Sequence, residues 1–513
     1  MESRPMKKPF ISARPVLMGA LICVLGLTQG LHAQIAGVDI MGSPIPGITA
    51  IGHHAIGVNP ALLATEKPFT EKDTFRSIPD SLSRKGKRDF RRSQRMRFFS
   101  GFEGGVVVNT PLLDGTPLLN WAGQEGKWTL ESRRATAEQL HQSPTEIEAR
   151  MRWVGWSRHG KRGGWGWTIE DRYSASLNPS ADLASYAMLG QASRLFDQVE
   201  LDDGTIVPVA DLTNEQFERV ETGLRDNGAL LALELLDGSR IAVQHVRSYG
   251  AGFGVKLLNS GPLVLAAGLS GRYYRGSGYY EVDGENQTAF AAFNRGFGAS
   301  LVDPNSSLGD ALRPAGFGVA LDAAVRVELA NVWFASLAIT ELGSMDWKGE
   351  SYSLNDPVAT AEGWVNQEGG VLDALSNGLV PSSLFLQATP ERRVVAMPSR
   401  LRLNGGMMVG KRTLIGIELA APLNQVALRQ PSEIGVGARG KLGPFLAMGG
   451  LRWKNGGQWR YPLALIWARK DSRSQFGLAT DDLSGGLSPE KKWGLGWSYT
   501  RTLRSARSLN GGR

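Results

Sequence analysis

The sequence predicts an all-β fold, a transmembrane antiparallel β-barrel of about 14 strands. Three observations carry that expectation. Long stretches alternate between apolar and small or charged residues with period two. Glycine is unusually abundant, 64 of 513 residues, against an average near ~7%. Finally, the chain opens with an export signal, yet no later apolar run reaches the ~18 residues of a membrane helix.

The period decides the class. Along Phe317–Leu329 the odd positions are Phe317, Val319, Leu321, Ala323, Val325, Val327 and Leu329, all apolar. The even positions are Gly318, Ala320, Asp322, Ala324, Arg326 and Glu328, small or charged. Side chains on a strand alternate between its two faces, so one face of this stretch is wholly apolar. It is also longer than the ~5–6 residues usual for a soluble strand. Tyr249–Leu257, Leu263–Tyr273, Leu401–Val409 and Trp493–Tyr499 repeat the pattern. In Trp459–Trp467 the apolar face reads Trp459, Tyr461, Leu463, Leu465, Trp467, with aromatics at both ends. At ~3.3 Å per residue and a tilt near ~40° this segment spans about 20 Å, close to the ~25 Å apolar band of a membrane barrel with its two aromatic girdles. Pro462 cannot donate to a strand ladder and is expected to mark a bulge. A soluble β-rich surface protein is the competing reading, in which the charged face would meet bulk water.

Candidate strands fall at 98–108, 146–158, 163–175, 241–257, 263–280, 286–298, 314–329, 332–348, 397–409, 413–422, 433–441, 444–454, 459–469, 475–482 and 490–502. Some are weak, and single-chain barrels prefer even numbers, hence about 14. Short links such as His159–Gly163 and Asn455–Gly457 read as tight turns. Long links at 177–240 and 350–395 read as loops on the opposite rim, the usual asymmetry of such barrels. Within 177–240, Ser180 is placed to cap a helical segment carrying Leu183, Tyr186, Leu189 and Phe196. Thr213 and Gln216 form a capping-box pattern ahead of Phe217, Val220 and Leu224 at helical spacing.

The N-terminus sets the compartment. Arg4, Lys7, Lys8 and Arg14 precede the run Val16–Thr28, and Leu31-His32-Ala33 is a small-residue cleavage pattern. Together these read as a cleaved signal peptide over residues 1–33. The single cysteine, Cys23, lies inside it. The remaining ~480 residues therefore hold no disulfide, no cysteine-based zinc site and no thiol nucleophile. The net charge of +8 owes much to a basic run from Arg84 to Arg97, read as a solvated connector or a contact for lipid phosphates. Nucleic acid is not an expected partner of an exported chain.

Chemistry-bearing motifs are sparse. Gly435–Gly440 matches G-x-G-x-x-G, but Lys441-Leu442-Gly443-Pro444 and another alternating stretch follow instead of a helix, so no cofactor site is expected. His53 and His54 are adjacent and would diverge on a regular element. No Asp or Glu stands beside them at ligand spacing, so a turn is expected and no metal. His141, His159 and His245 are isolated, and no G-x-S-x-G string accompanies His245. No catalytic residue is assigned and the chain is not expected to be an enzyme.

The stretch Ile51–Thr65 carries a family resemblance. A signal peptide, a Gly-rich segment with Gly52 and Ala55, then Asn59-Pro60-Ala61-Leu62 ahead of a long barrel resembles the FadL-type outer-membrane family, which includes long-chain fatty-acid transporters and the PorV-like barrels of type IX secretion. The resemblance implies that the segment before the first strand folds into the lumen as a plug. Locally, Pro60 disfavours helix at Asn59 and can itself start a turn through Ala61 and Leu62. The implied organisation is a signal peptide at 1–33, plug and basic connector at 34–96, barrel at 97–503 and a tail at 504–513. The chain departs from the family pattern by running past its last strand to Arg513.

The resemblance also implies function: passive uptake of hydrophobic small molecules through a cell outer-membrane barrel, with a plug that shifts on ligand binding. The residues expected to act are Asn59, Pro60, Ala61 and Leu62 in the plug, with Leu183, Tyr186, Phe217 and Leu224 at a ligand entrance. Outer-membrane lipid and a hydrophobic small molecule are the expected partners. The alternative is a PorV-like secretion adaptor or structural barrel that binds secretion-system proteins.

Overall fold

A computed structural model describes residues 43–50, 52–65, 96–109, 129–142, 145–160, 162–226, 228, 230–294, 314–353, 389–410, 413–424, 432–443, 445–454, 458–468, 474–483 and 493–503. The expected signal peptide at 1–33, the basic connector before residue 96, most of the 350–395 link and the expected C-terminal tail lie outside these residues.

Fourteen antiparallel strands form one ring. In chain order they are β1 (Met96–Asn109), β2 (Thr145–His159), β3 (Gly163–Asn178), β4 (Arg240–Ser260), β5 (Leu263–Asp283), β6 (Gly316–Leu329) and β7 (Trp333–Ser353). They continue as β8 (Arg400–Val409), β9 (Thr413–Pro422), β10 (Glu433–Leu442), β11 (Phe445–Lys454), β12 (Leu463–Ala468), β13 (Ser474–Thr480) and β14 (Trp493–Leu503). Each pairs with its sequence neighbour, and β14 returns to β1 with Val106 opposite Leu495 and Val108 opposite Trp493. The ring is closed, so the wall has no free edge.

The candidate strands match these elements closely. The 286–298 candidate corresponds to Thr288–Phe293, a short strand that pairs with the upper parts of β5 and β7 and so extends the wall above β6 without making a full-length strand of the ring. At Pro462 the expected irregularity divides one stretch into Gln458–Arg460 and β12. Links of a few residues join β2–β3, β4–β5, β6–β7, β8–β9 and β10–β11 at one rim. In the β6–β7 link Ala330 and Asn331 both have positive φ, 53° and 56°, the mirror-image turn whose twist matches a hairpin. The longer connections all lie at the other rim.

Burial inverts the usual soluble pattern. On β6 the exposed residues are Phe317, Val319, Leu321, Val325, Val327 and Leu329, while Asp322, Arg326 and Glu328 are buried. The outer face is apolar and the charges point inward, an arrangement that suits lipid outside. Aromatics band this face at two levels. Phe445, Trp467, Phe476 and Tyr499 stand side by side on successive strands near the short-turn rim. Tyr249, Tyr273 and Phe317 form the upper band, with ring centroids 6.2 Å apart at each step. No described helix is long and apolar enough to cross a membrane.

A charge placed on the outer face must enter hydrocarbon. Leu321→Arg, near the middle of β6, is expected to destabilise the barrel by about 2–4 kcal/mol. Denaturant unfolding from lipid vesicles, followed by tryptophan fluorescence, measures it.

Candidate functional site

The lumen is filled in layers, and the inward face of β5 serves as a ruler from the short-turn rim upward. Gly268 marks a plug, Arg272 a charged belt, Tyr274 and Gly276 an apolar compartment, and Tyr280 with Val282 a roof.

The plug is residues 43–65. It consists of a helical turn α1 (Pro46–Thr49), a 3-10 turn (Gly52–Ala55) and a second helical turn α2 (Leu62–Thr65). Pro46 sits in the first turn of α1, where its missing N–H costs nothing. Asn59 is fully buried, and its side-chain amide donates to the carbonyl of Gly47 at 2.8 Å and to the Ser336 hydroxyl on β7 at 3.0 Å. It thus ties the two halves of the plug to each other and to the wall. Ala61 packs against Ala324 and Ala338 of the wall, and Leu62 against Ile56, Val58 and Leu63 inside the plug. The structure therefore brings Asn59, Pro60, Ala61 and Leu62 together within the lumen.

Wall glycines let the plug backbone lie directly on the strands. A Cβ on Gly268 would overlap the carbonyl of Pro60, and one on Gly435 the carbonyl of Pro44. The G-x-G-x-x-G string is thus part of strand β10, and its first two glycines both face Pro44 of the plug.

Polar anchors complete the seat. Glu418 accepts from the Gly47 N–H at 2.7 Å and pairs with Arg402. Arg439 donates to the Thr49 carbonyl at 2.9 Å, and Arg452 to the Ser43 carbonyl. His53 and His54 sit on the 3-10 turn, as a turn was expected, but they do not diverge: their rings lie edge to face 4.4 Å apart. His53 Nε2 is 2.5 Å from the Ser100 hydroxyl, and His54 Nε2 is 2.9 and 3.0 Å from the two Glu103 oxygens. The acid comes from a strand 49 positions away in sequence, which local spacing cannot reveal.

Above the plug, Arg272 pairs with Asp322 at 2.6 Å and with Glu341 at 2.8 Å, and Arg172 also reaches Glu341 at 2.8 Å. Glu341 has φ of 59° and stands at a bulge in β7. Such a conformation is costly for a residue with a Cβ and is held here by two guanidiniums. Above this belt the lumen turns apolar. Tyr274, Tyr279, Phe290, Met345, Trp347 and Met397 form one buried cluster. Trp347 stacks on Tyr279 at 5.3 Å, and its indole N–H has no partner among the described residues.

The roof is a small subdomain of the long connections. Helix α3 (Leu130–Gln142), helix α4 (Ala181–Leu189) and a three-stranded sheet (Gln198–Leu201, Ile206–Pro208, Val220–Leu224) share one apolar core resting on Tyr280, Val282 and Ala289. Ser180 caps α4 as the sequence predicts, accepting from the Leu183 N–H. The Thr213–Gln216 capping box also forms, but its helix stops after one turn at Phe217. Val220 and Leu224 then belong to a strand, because pairing with Gln198–Leu201 satisfies more backbone than a continued short helix.

Of the four entrance candidates, Leu183 and Tyr186 are buried in the roof core, where burial raises the Tyr186 hydroxyl above its ordinary pKa. Phe217 packs on that core beneath the Arg133 guanidinium at 5.2 Å. Leu224 is half-buried opposite Gln198. A cavity of about 480 Å³ opens beside them, lined by Arg134, Glu138, Ser185, Leu189, Phe196 and Val209 among others, and by none of the four. Sequence reasoning missed α3, whose buried residues are only Leu130, Thr136, Ala137 and Leu140 in an otherwise charged segment. It also missed the apolar compartment, whose members come from distant strands.

Fold and lumen together define a plugged barrel of the outer-membrane type. No family model matches the sequence, and no curated protein matches it. Among solved structures the chain is similar to the P. putida toluene transporter TodX, at 10% identity over 92% of this chain and 100% of that one, TM-score 0.41. It is similar to the monoaromatic hydrocarbon channel CymD at 9% identity over 92% and 100%, TM-score 0.41. A Pseudomonas aeruginosa FadL homologue is similar at 10% identity over 92% and 99%, TM-score 0.35. The barrel assignment itself rests on the strand pairing described above.

The plug's seat predicts the effect of cutting its ties. Asn59→Ala leaves the Ser336 hydroxyl and the Gly47 carbonyl without this donor, a loss of about 1–3 kcal/mol. Amide hydrogen exchange across residues 43–50 is expected to accelerate roughly tenfold to a hundredfold, while the barrel strands keep their protection. Gly435→Val is expected to do the same by excluding Pro44.

Proposed function

We propose that this chain is a FadL-like outer-membrane barrel for passive uptake of hydrophobic small molecules. The observation that carries the reading is the change of lumen chemistry along the barrel axis. A water-filled porin needs a polar passage throughout. Here the roof side of the lumen holds a buried layer of aromatics and methionines, above ion pairs and a plug. An apolar ligand gains about 25 cal/mol for each Å² it removes from water in such a site. Methionine and stacked aromatics tolerate many ligand shapes. The plug blocks the passage below, so release requires it to shift and break the Asn59 and Gly47 contacts. Toluene and monoaromatic hydrocarbons, the compounds of the similar TodX and CymD channels, match this apolar chemistry.

Uptake of a labelled monoaromatic hydrocarbon and a labelled long-chain fatty acid into liposomes tests the reading. Barrel-containing liposomes are expected to take up at least one of them well above protein-free liposomes. Met345→Asp, which places a charge in the apolar compartment, is expected to reduce that uptake at least tenfold without unfolding the barrel. Equal uptake with and without the protein contradicts the proposal and moves the assignment to a secretion or structural barrel.

A further inference from the structure

We propose that His53, His54 and Glu103 form a binding site for a divalent first-row transition metal, zinc in the first instance, that pins the plug to the first strand. The site goes beyond the uptake reading and stands without it. The three side chains are buried, and one ligand atom from each lies within 4.8 Å of the others. Two imidazoles and a carboxylate, completed by a water or the nearby Ser100 hydroxyl, are a zinc-type donor set. Tetrahedral coordination at ~2.0–2.1 Å needs donor atoms roughly 3.3 Å apart. His54 Nε2 and the Glu103 oxygens, at 2.9 and 3.0 Å, are near that spacing already.

Two further observations separate this arrangement from an ordinary histidine–carboxylate hydrogen bond. One imidazole would suffice for such a bond, yet two adjacent residues turn their rings to the same place. The wall makes room for the second ring, since a Cβ on Gly155 of β2 would overlap the His53 imidazole. Arg152 donates to Glu103 Oε2 at 3.0 Å and to Glu170 at 3.1 Å. It then serves as the outer partner that orients a ligating carboxylate. Because His53 and His54 belong to the plug and Glu103 to the wall, the bound metal would cross-link the two.

The test uses the full chain purified in detergent without a polyhistidine tag, stripped with chelator and titrated with Zn²⁺. Bound metal is counted by elemental mass spectrometry, and Co²⁺ in place of zinc reports geometry by visible absorption. The expected result is one tightly held zinc per chain and a tetrahedral cobalt spectrum. His53→Gln and Glu103→Gln should each weaken binding at least tenfold, while His141→Gln, in the roof, leaves it unchanged. Gel mobility before and after heating confirms that each variant keeps its barrel. Failure of the wild-type chain to retain zinc, or equal retention by His53→Gln, overturns the site. Loss of zinc leaves hydrocarbon uptake to be judged by its own assay.

Discussion

Everything in this molecule follows from the pairing of β1 with β14. In hydrocarbon an unpaired backbone N–H or C=O costs several kcal/mol, so a sheet that spans a bilayer must have no edge. Once Val106 meets Leu495 and Val108 meets Trp493 the ring is complete. The two-residue alternation then dictates what each face holds. On β6 the valines, leucines and aromatics go to lipid, and Asp322, Arg326 and Glu328 go inside, away from both lipid and bulk water. Enclosed charges must find partners, which is why the lumen is dense with arginine–carboxylate pairs such as Arg272 with Asp322 and Arg152 with Glu103.

The plug exploits that interior. Its hold on the wall combines small apolar clusters, such as Ile45 and Ile48 with Phe334 and Leu414, with steric fit and polar contacts. Glycines on the inward faces lower the wall locally, and Pro44 and Pro60 settle into the space. Buried arginines and Glu418 then supply the backbone partners that the plug's short turns lack. Such a seat is specific, and its apolar clusters with the wall are small, so a shift of the plug mainly exchanges hydrogen bonds for water. The strained Glu341 and the two arginines on it lie immediately above. They form a boundary between the charged, plug-filled lower lumen and the apolar cluster around Trp347.

Much of the barrel was legible because lipid imposes the same two-residue rule on every strand. The ends of β9 and the break at Pro462 could be placed from residue pattern alone. The plug segment was legible through Asn59-Pro60-Ala61 and its position ahead of the first strand. The inward glycines of β10 were visible as a string, but their meaning depended on Pro44, which is remote in sequence. The same holds for the apolar compartment, assembled from β4 through β7 and the segments beside them, and for Glu103 beside the two histidines. Local reasoning went astray at Phe217–Leu224, where strand pairing within the roof outweighed a helical spacing. It passed over α3, where three widely spaced apolar residues and Thr136 are all that the helix buries.

The account stands or falls on residues 43–65 occupying the lumen of a closed ring. Conductance in planar lipid bilayers measures this directly, by comparing the intact chain with one lacking those residues. The intact barrel is expected to pass almost no ionic current, and the deletion to show a steady open-pore conductance. Equal conductance in the two would contradict the plugged barrel.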